Sequence, residues 1–123
     1  MAKTILIVDD SASVRKVVGM ALRDAGYEVI EAVDGVDALS KMEDLKKVHL
    51  IISDVHMPNM DGISFLKEVK RNPRSKFTPV IMLTTESAEE KIREGKAAGA
   101  KAWVTKPFRS PKMLDAVAKL VTP

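Results

Sequence analysis

Five short apolar runs punctuate the chain: Ile5-Leu6-Ile7-Val8, Val29-Ile30, Leu50-Ile51-Ile52, Val80-Ile81-Met82-Leu83 and Ala102-Trp103-Val104. Three of them are continuously apolar and rich in β-branched residues, which predicts parallel strands covered on both faces. The second run is short and flanked by Glu28 and Glu31, so it predicts an edge strand. Stretches of helical spacing lie between and after the runs. Val14, Val17, Val18, Ala21, Leu22 and Ala25 repeat at i, i+3, i+4, and Gly26 stops that helix. A second helix, with Ala38, Leu39, Met42 and Leu45, follows Asp34-Gly35, and a third, with Phe65, Leu66 and Val69, follows Asp61-Gly62 and ends before Asn72-Pro73. Met113, Leu114, Val117, Leu120 and Val121 form the last helix, after a Ser110-Pro111 start that suits a first turn. The fourth helix opens on Ser87-Ala88-Glu89-Glu90, a capping-box pattern. Ile92 is its one large apolar residue and Gly95 lies inside it, so it is expected to be the least stable of the five. Repeated βα units of this kind predict one α/β domain of the (βα)5 type.

Length and composition narrow the field. The 123 residues fit a single domain, expected to span 1–123 with no output domain, and large enough to fold without a staple. With no cysteine, the chain has no disulfide scaffold, thiolate zinc site or cysteine nucleophile. No apolar run approaches the roughly 18 residues of a bilayer span, and the N-terminus lacks the apolar core of a signal peptide. A cytoplasmic location and no membrane partner are the expectation. The net charge of +3 conceals an asymmetry: residues 1–62 carry 7 Lys/Arg against 11 Asp/Glu, and residues 63–123 carry 13 against 6. The basic residues are interspersed with acids, and one Trp, one Tyr and three Phe offer few stacking platforms, so nucleic acid is not the expected partner.

The polar residues after the strands carry the chemistry. The first run ends in Asp9-Asp10, the third in Asp54 after Ser53, the fourth in Thr84-Thr85 and the fifth in Thr105-Lys106-Pro107. Ligands of open parallel sheets bind outside the carboxyl ends of the strands, where the strand order reverses. With an order of 2-1-3-4-5 that point falls between strands 1 and 3. Asp9, Asp10 and Asp54 would share one crevice, with Thr84 and Lys106 approaching from strands 4 and 5. A lone aspartate after a strand is ordinarily a helix cap, and Asp10 or Ser11 suits that role. Three carboxylates together, however, repel one another unless a cation intervenes, and an all-oxygen set of this size suits Mg²⁺. Lys106 would supply a fixed positive charge for a phosphoryl group and Thr84 a hydroxyl donor. The set fits phosphoryl transfer to a carboxylate.

Ile7-Val8-Asp9-Asp10, the stretch Asp54-Val55-His56-Met57-Pro58-Asn59-Met60-Asp61-Gly62, Pro79-Val80-Ile81-Met82-Leu83-Thr84 and Lys106-Pro107-Phe108 together resemble the receiver domain of two-component response regulators. The resemblance runs from about Lys3 to Leu120, and it is to the stand-alone, CheY-like chemotaxis members. It implies a flavodoxin-like, doubly wound parallel sheet of five strands, and the order 2-1-3-4-5 belongs to that implication rather than to periodicity. It makes Asp54 the phosphoacceptor. Asp9 and Asp10 become the Mg²⁺ pair, completed by Asp54 and the backbone carbonyl of His56. Lys106, whose bond to Pro107 is expected to be cis, becomes the phosphate-binding lysine. Thr84 and Trp103 become the switch pair. Trp103 stands where the family usually has Tyr or Phe, and an indole needs more room. His56 and Glu86 fall where attack of water on the phosphoryl group is tuned.

The implied partners are a CheA-like histidine kinase and, through the face of helix 4, strand 5 and helix 5, a flagellar motor switch protein or a phosphatase, with the regulator itself monomeric. The resemblance leaves open a phosphate sink, a relay intermediate, or the receiver of a transcription factor. No substrate of its own, and so no enzyme class, is expected. A haloacid dehalogenase-type phosphatase would need aspartates at i and i+2 after the first strand, where Asp9 and Asp10 are adjacent. A flavin carrier would need a Ser/Thr/Gly-rich loop there, and the two aspartates would repel its phosphate.

Overall fold

The computed structural model describes residues 2–45, 47–84, 89–105 and 110–121, and the backbone alone at 84, 89, 91 and 110. Strands and helices alternate: β1 (Thr4–Val8), α1 (Ala12–Asp24), β2 (Glu28–Ala32), α2 (Gly35–Glu43), β3 (Leu50–Ser53), α3 (Gly62–Arg71), β4 (Val80–Thr84), α4 (Glu89–Ala97), β5 (Ala102–Thr105) and α5 (Ser110–Leu120). All strand pairs are parallel and the order is β2-β1-β3-β4-β5, with β2 at an edge as its flanking glutamates predicted.

Alternation along the buried strands divides the core into two layers. Leu6, Val8, Ile51, Val80 and Met82 pack with Ala38 of α2 and Phe65, Leu66 and Val69 of α3. Ile5, Ile7, Leu50, Ile52, Ile81, Leu83 and Val104 face the other way, against Val18 and Leu22 of α1 and Met113 and Val117 of α5. Both faces of the sheet are therefore covered, which is why these strands read as unbroken apolar runs.

One part of the helix reading is corrected. Val17 is 53% exposed and Ala25 is exposed. The buried arc of α1 centres on Val18, Gly19 and Leu22. At about 100° per residue, that turns Val17 away from the sheet, and Ala25 caps the helix end rather than lying within it. The capping box expected of α4 begins at residues 87 and 88, outside the described residues.

His49, just before β3, ties two strands together. Its Nδ1 accepts the Thr4 N–H (3.0 Å), and its own N–H donates to the Thr4 carbonyl (2.8 Å), joining the starts of β1 and β3. Burial, then Lys47 and Lys3, hold the imidazole below its ordinary pKa, which keeps Nδ1 available as an acceptor.

Candidate functional site

The site is an extension of the sheet. Val8 is in register with Ser53, and the Asp54 N–H donates to the Val8 carbonyl (2.8 Å), one step past the end of β3. The Asp9 N–H likewise donates to the Ala32 carbonyl (3.1 Å), one step past β1. The ladder thus sets the two aspartates beside each other at the carboxyl ends of β1 and β3. On one side of this point β1 neighbours β2, and on the other it neighbours β3. Carboxylate oxygens of Asp9, Asp10 and Asp54 all lie within 4.8 Å of one another.

Burial differs within the trio. Asp9 and Asp54 are buried, whereas Asp10 is exposed. Asp9 Oδ1 accepts the Ser11 N–H (2.9 Å), and the Arg15 guanidinium holds the Asp9 carbonyl (2.7 Å) while lying 3.4 Å from Glu31. Ser11, not Asp10, caps α1, accepting from the Val14 N–H. Asp10 is therefore not spent on the helix. Asp54 Oδ1 accepts the Val55 N–H at 2.8 Å, and Ser53 Oγ donates to the Asp54 carbonyl at 2.9 Å.

The loop after Asp54 is braced on both sides. Asn59 adopts φ 67, a left-handed conformation that asparagine tolerates, and its Nδ2 donates to Asp34 Oδ2 (2.7 Å). Asp34 caps α2 through the Asp37 N–H (2.8 Å). That hydrogen bond, with the one from Asn59, holds its carboxyl below the usual carboxylate range. The Gly62 N–H donates to the Val55 carbonyl (2.8 Å), so α3 starts directly against the Asp54 backbone. A Cβ at Gly62 would lie 2.0 Å from the Asp54 oxygen. In the sequence, Asp34-Gly35 reads as a helix start, and Asp61-Gly62 as a helix start and as the end of the stretch that carries the resemblance. Their second role, fixing the loop that carries His56, depends on contacts that no local pattern announces.

His56 is exposed on that loop, two residues beyond Asp54. Thr84 closes β4, in register with Thr105, but its side chain lies outside the described residues, as do Lys106, Pro107 and Glu86. Trp103 is half-buried on β5, in register with Met82. Around α3, the basic residues are largely occupied by the fold: Arg71 pairs with Glu68, Lys67 with Glu94, Arg74 donates to the Leu45 carbonyl, and Lys70 donates to the carbonyls of Lys76 and Thr78. Among the described residues, no helix is long and apolar enough to cross a membrane.

The sequence matches the family described as response regulator receiver domain over residues 5–118. The chain belongs to the response regulator receiver family. Among curated relatives, this receiver is 35% identical to chemotaxis protein CheY1 of Helicobacter pylori over 118 residues, covering 95% of this chain and 94% of the other. It is 34% identical to protein PilG of Pseudomonas aeruginosa, covering 92% and 83%. Among solved structures, chemotaxis protein CheY4 of Vibrio cholerae superposes with a TM-score of 0.93 at 45% identity, covering 98% of this receiver and all of that chain. The receiver domain of sensor histidine kinase PA1611 from Pseudomonas aeruginosa, solved with a magnesium ion in its active-site cleft, gives 0.88 at 25% identity, covering 98% of each chain. The chain is thus a CheY-like receiver of two-component signalling, with the flavodoxin-like strand order the resemblance implied.

Proposed function

We propose that this receiver is a stand-alone response regulator, phosphorylated on Asp54 by a histidine kinase in a Mg²⁺-dependent reaction and read by a protein partner in chemotaxis. The observation that carries the reading is the approach of the Asp9, Asp10 and Asp54 carboxylates to within 4.8 Å at the strand-order reversal. The donor set fits the ion: three carboxylates supply only hard oxygen ligands, and the exposure of Asp10 leaves water access of the kind Mg²⁺ retains. Asp9, Asp10, Asp54 and the His56 carbonyl would hold it, and it would neutralise charge on the phosphoryl oxygens. The magnesium in the cleft of the PA1611 receiver supports the same assignment.

The chain's own residues do the rest. Asp54 is the nucleophile: an oxygen of its carboxylate bonds to phosphorus as the donor's N–P bond breaks and the histidine takes back the electron pair. The Val55 N–H on Asp54 Oδ1 fixes the carboxylate's orientation, which is the main requirement of a transfer that depends on alignment. Lys106 takes the charge of the new phosphoryl group, and the Thr84 hydroxyl donates to it. Phosphorylation adds close to two negative charges, and the domain settles into the state whose α4–β5–α5 face binds the partner. His56 and Glu86 set how readily water removes the group. The receiver has no substrate of its own, and it acts as a cytoplasmic monomer.

A pull-down with and without beryllofluoride and Mg²⁺, using a CheA-like kinase and the motor switch protein as baits, tests the output. Retention of the switch protein only in the activated state supports the reading. Equal retention in both states, or none, overturns the motor assignment and leaves a phosphate sink or relay.

A further inference from the structure

Trp103 poses a packing problem that the fold answers on a different element. The indole belongs to the core layer that α3 lines, together with Ala98 and Ala100, which follow α4. Opposite it, α4 offers almost no side-chain volume. Ile92 is half-buried, and Gly95, the next residue on the same side, is buried. A Cβ built on Gly95 would lie 2.5 Å from Trp103 Cζ3, 3.3 Å from Cε3 and 3.5 Å from Cη2. The outer edge of the six-membered ring therefore occupies the space that any other residue at 95 would fill.

Glycine is among the least favourable residues in a helix interior, and α4 has the smallest apolar face to offset it. The position is nevertheless tied into the fold: the Gly95 carbonyl accepts the Ala100 N–H (3.0 Å), and the Lys101 N–H donates to the Val80 carbonyl (2.9 Å). The turn leading into β5 is thus anchored on the residue against which the β5 indole packs.

We propose that Gly95 is the positioning residue for Trp103: its missing side chain is the seat of the indole, and through it the ring and α4 move as one body. The proposal rests on the reading of Trp103 as the switch aromatic for its signalling consequence, but the seat itself is a property of the resting domain. It explains how this chain carries an indole where a smaller ring is usual. The partner-facing helix is set by ring position directly rather than through a chain of side chains.

The test uses Trp103, the sole tryptophan, as reporter. In Gly95→Ala the methyl group and the ring cannot share the space, so the ring leaves its seat. Acrylamide quenching in the absence of Mg²⁺ and beryllofluoride is then expected to rise at least about twofold over wild type, with a red-shifted emission. The fluorescence change on adding both ligands is expected to fall to a small fraction of the wild-type change. Trp103→Phe, whose ring lacks the clashing edge, should bring the α4 amide shifts of the Gly95→Ala background back to those of Trp103→Phe alone. Quenching and emission unchanged in Gly95→Ala overturn the proposal, as does a failure of the double variant to recover those shifts. Should Gly95→Ala not fold, folding regained in the double variant supports the seat, and a double variant equally unfolded refutes it. A wild-type protein silent to Mg²⁺ and beryllofluoride would instead count against the phosphorylation reading, since the quenching comparison requires neither ligand.

Discussion

Replacing Gly62 by alanine places a methyl carbon 2.0 Å from the Asp54 carbonyl oxygen and 2.9 Å from both the Asp54 carbonyl carbon and Met82 Cε. Non-bonded carbon and oxygen rest about 3.3 Å apart, so the first contact is short by roughly 1.3 Å. Met82 can turn its terminal methyl aside, but Asp54 presents backbone. That backbone is fixed by the Asp54 N–H to Val8 and by the Gly62 N–H to Val55. Relief requires α3 to lift from the strand end, loosening Ile63, Phe65 and Leu66 in the core. Overpacking ordinarily costs 1–3 kcal/mol, and an obstacle of backbone belongs at the upper end, about 3 kcal/mol. For a chain of this size the expected loss is about 12 °C in Tm. Urea unfolding followed by far-UV circular dichroism, with the Trp103 signal as a second probe, reads the change as a lower midpoint at unchanged slope. Because the displaced group carries the proposed phosphoacceptor, Mg²⁺ and beryllofluoride should also bind more weakly to the folded variant. A Gly62→Ala protein within about 2 °C of wild type and with unaltered ligand binding would refute the claim that α3 is seated on the Asp54 backbone.

Two further expectations concern other residues. Asp34 has a folded pKa below its ordinary one, so its stabilising contribution is complete above about pH 4 and fades as pH falls through the depressed value. Urea midpoints of wild type and Asp34→Ala should therefore differ at neutral pH and converge on acidification; a constant gap would contradict the assignment. Substitution of His56 or Glu86 should change the lifetime of the phosphorylated protein more than its Mg²⁺ affinity, measured by phosphate release and by fluorescence titration; an unchanged lifetime with weakened Mg²⁺ binding would contradict it.

The legibility of the fold and the site divides along a physical line. Buried parallel strands must be apolar on both faces, so Ile5–Val8, Leu50–Ile52 and Val80–Leu83 stood out without any partner being known. Aspartates that interrupt such runs were conspicuous for the same reason, and Asp9, Asp10 and Asp54 converge as the topology requires. Helical faces were less clear, because periodicity gives the width of an apolar arc but not its centre. Val17 fell inside the apparent arc of α1 and outside the real one. Gly62, Gly95 and the Asn59–Asp34 bond were not legible. A glycine does not indicate whether it serves a turn or a close approach, and a hydrogen bond across 25 positions leaves no local pattern. The switch pair was named from resemblance, and of its two side chains only that of Trp103 falls within the described residues.

The central claim is that Asp54, in its acidic pocket, accepts a phosphoryl group with Mg²⁺ present. Incubation with acetyl phosphate, followed by borohydride reduction of the acyl phosphate and peptide mass spectrometry, tests it most directly. Reduction at Asp54 alone, dependent on Mg²⁺ and lost in Asp54→Asn, is the predicted result. Reduction at another aspartate, or at Asp54 to the same extent when Mg²⁺ is chelated, would contradict the account.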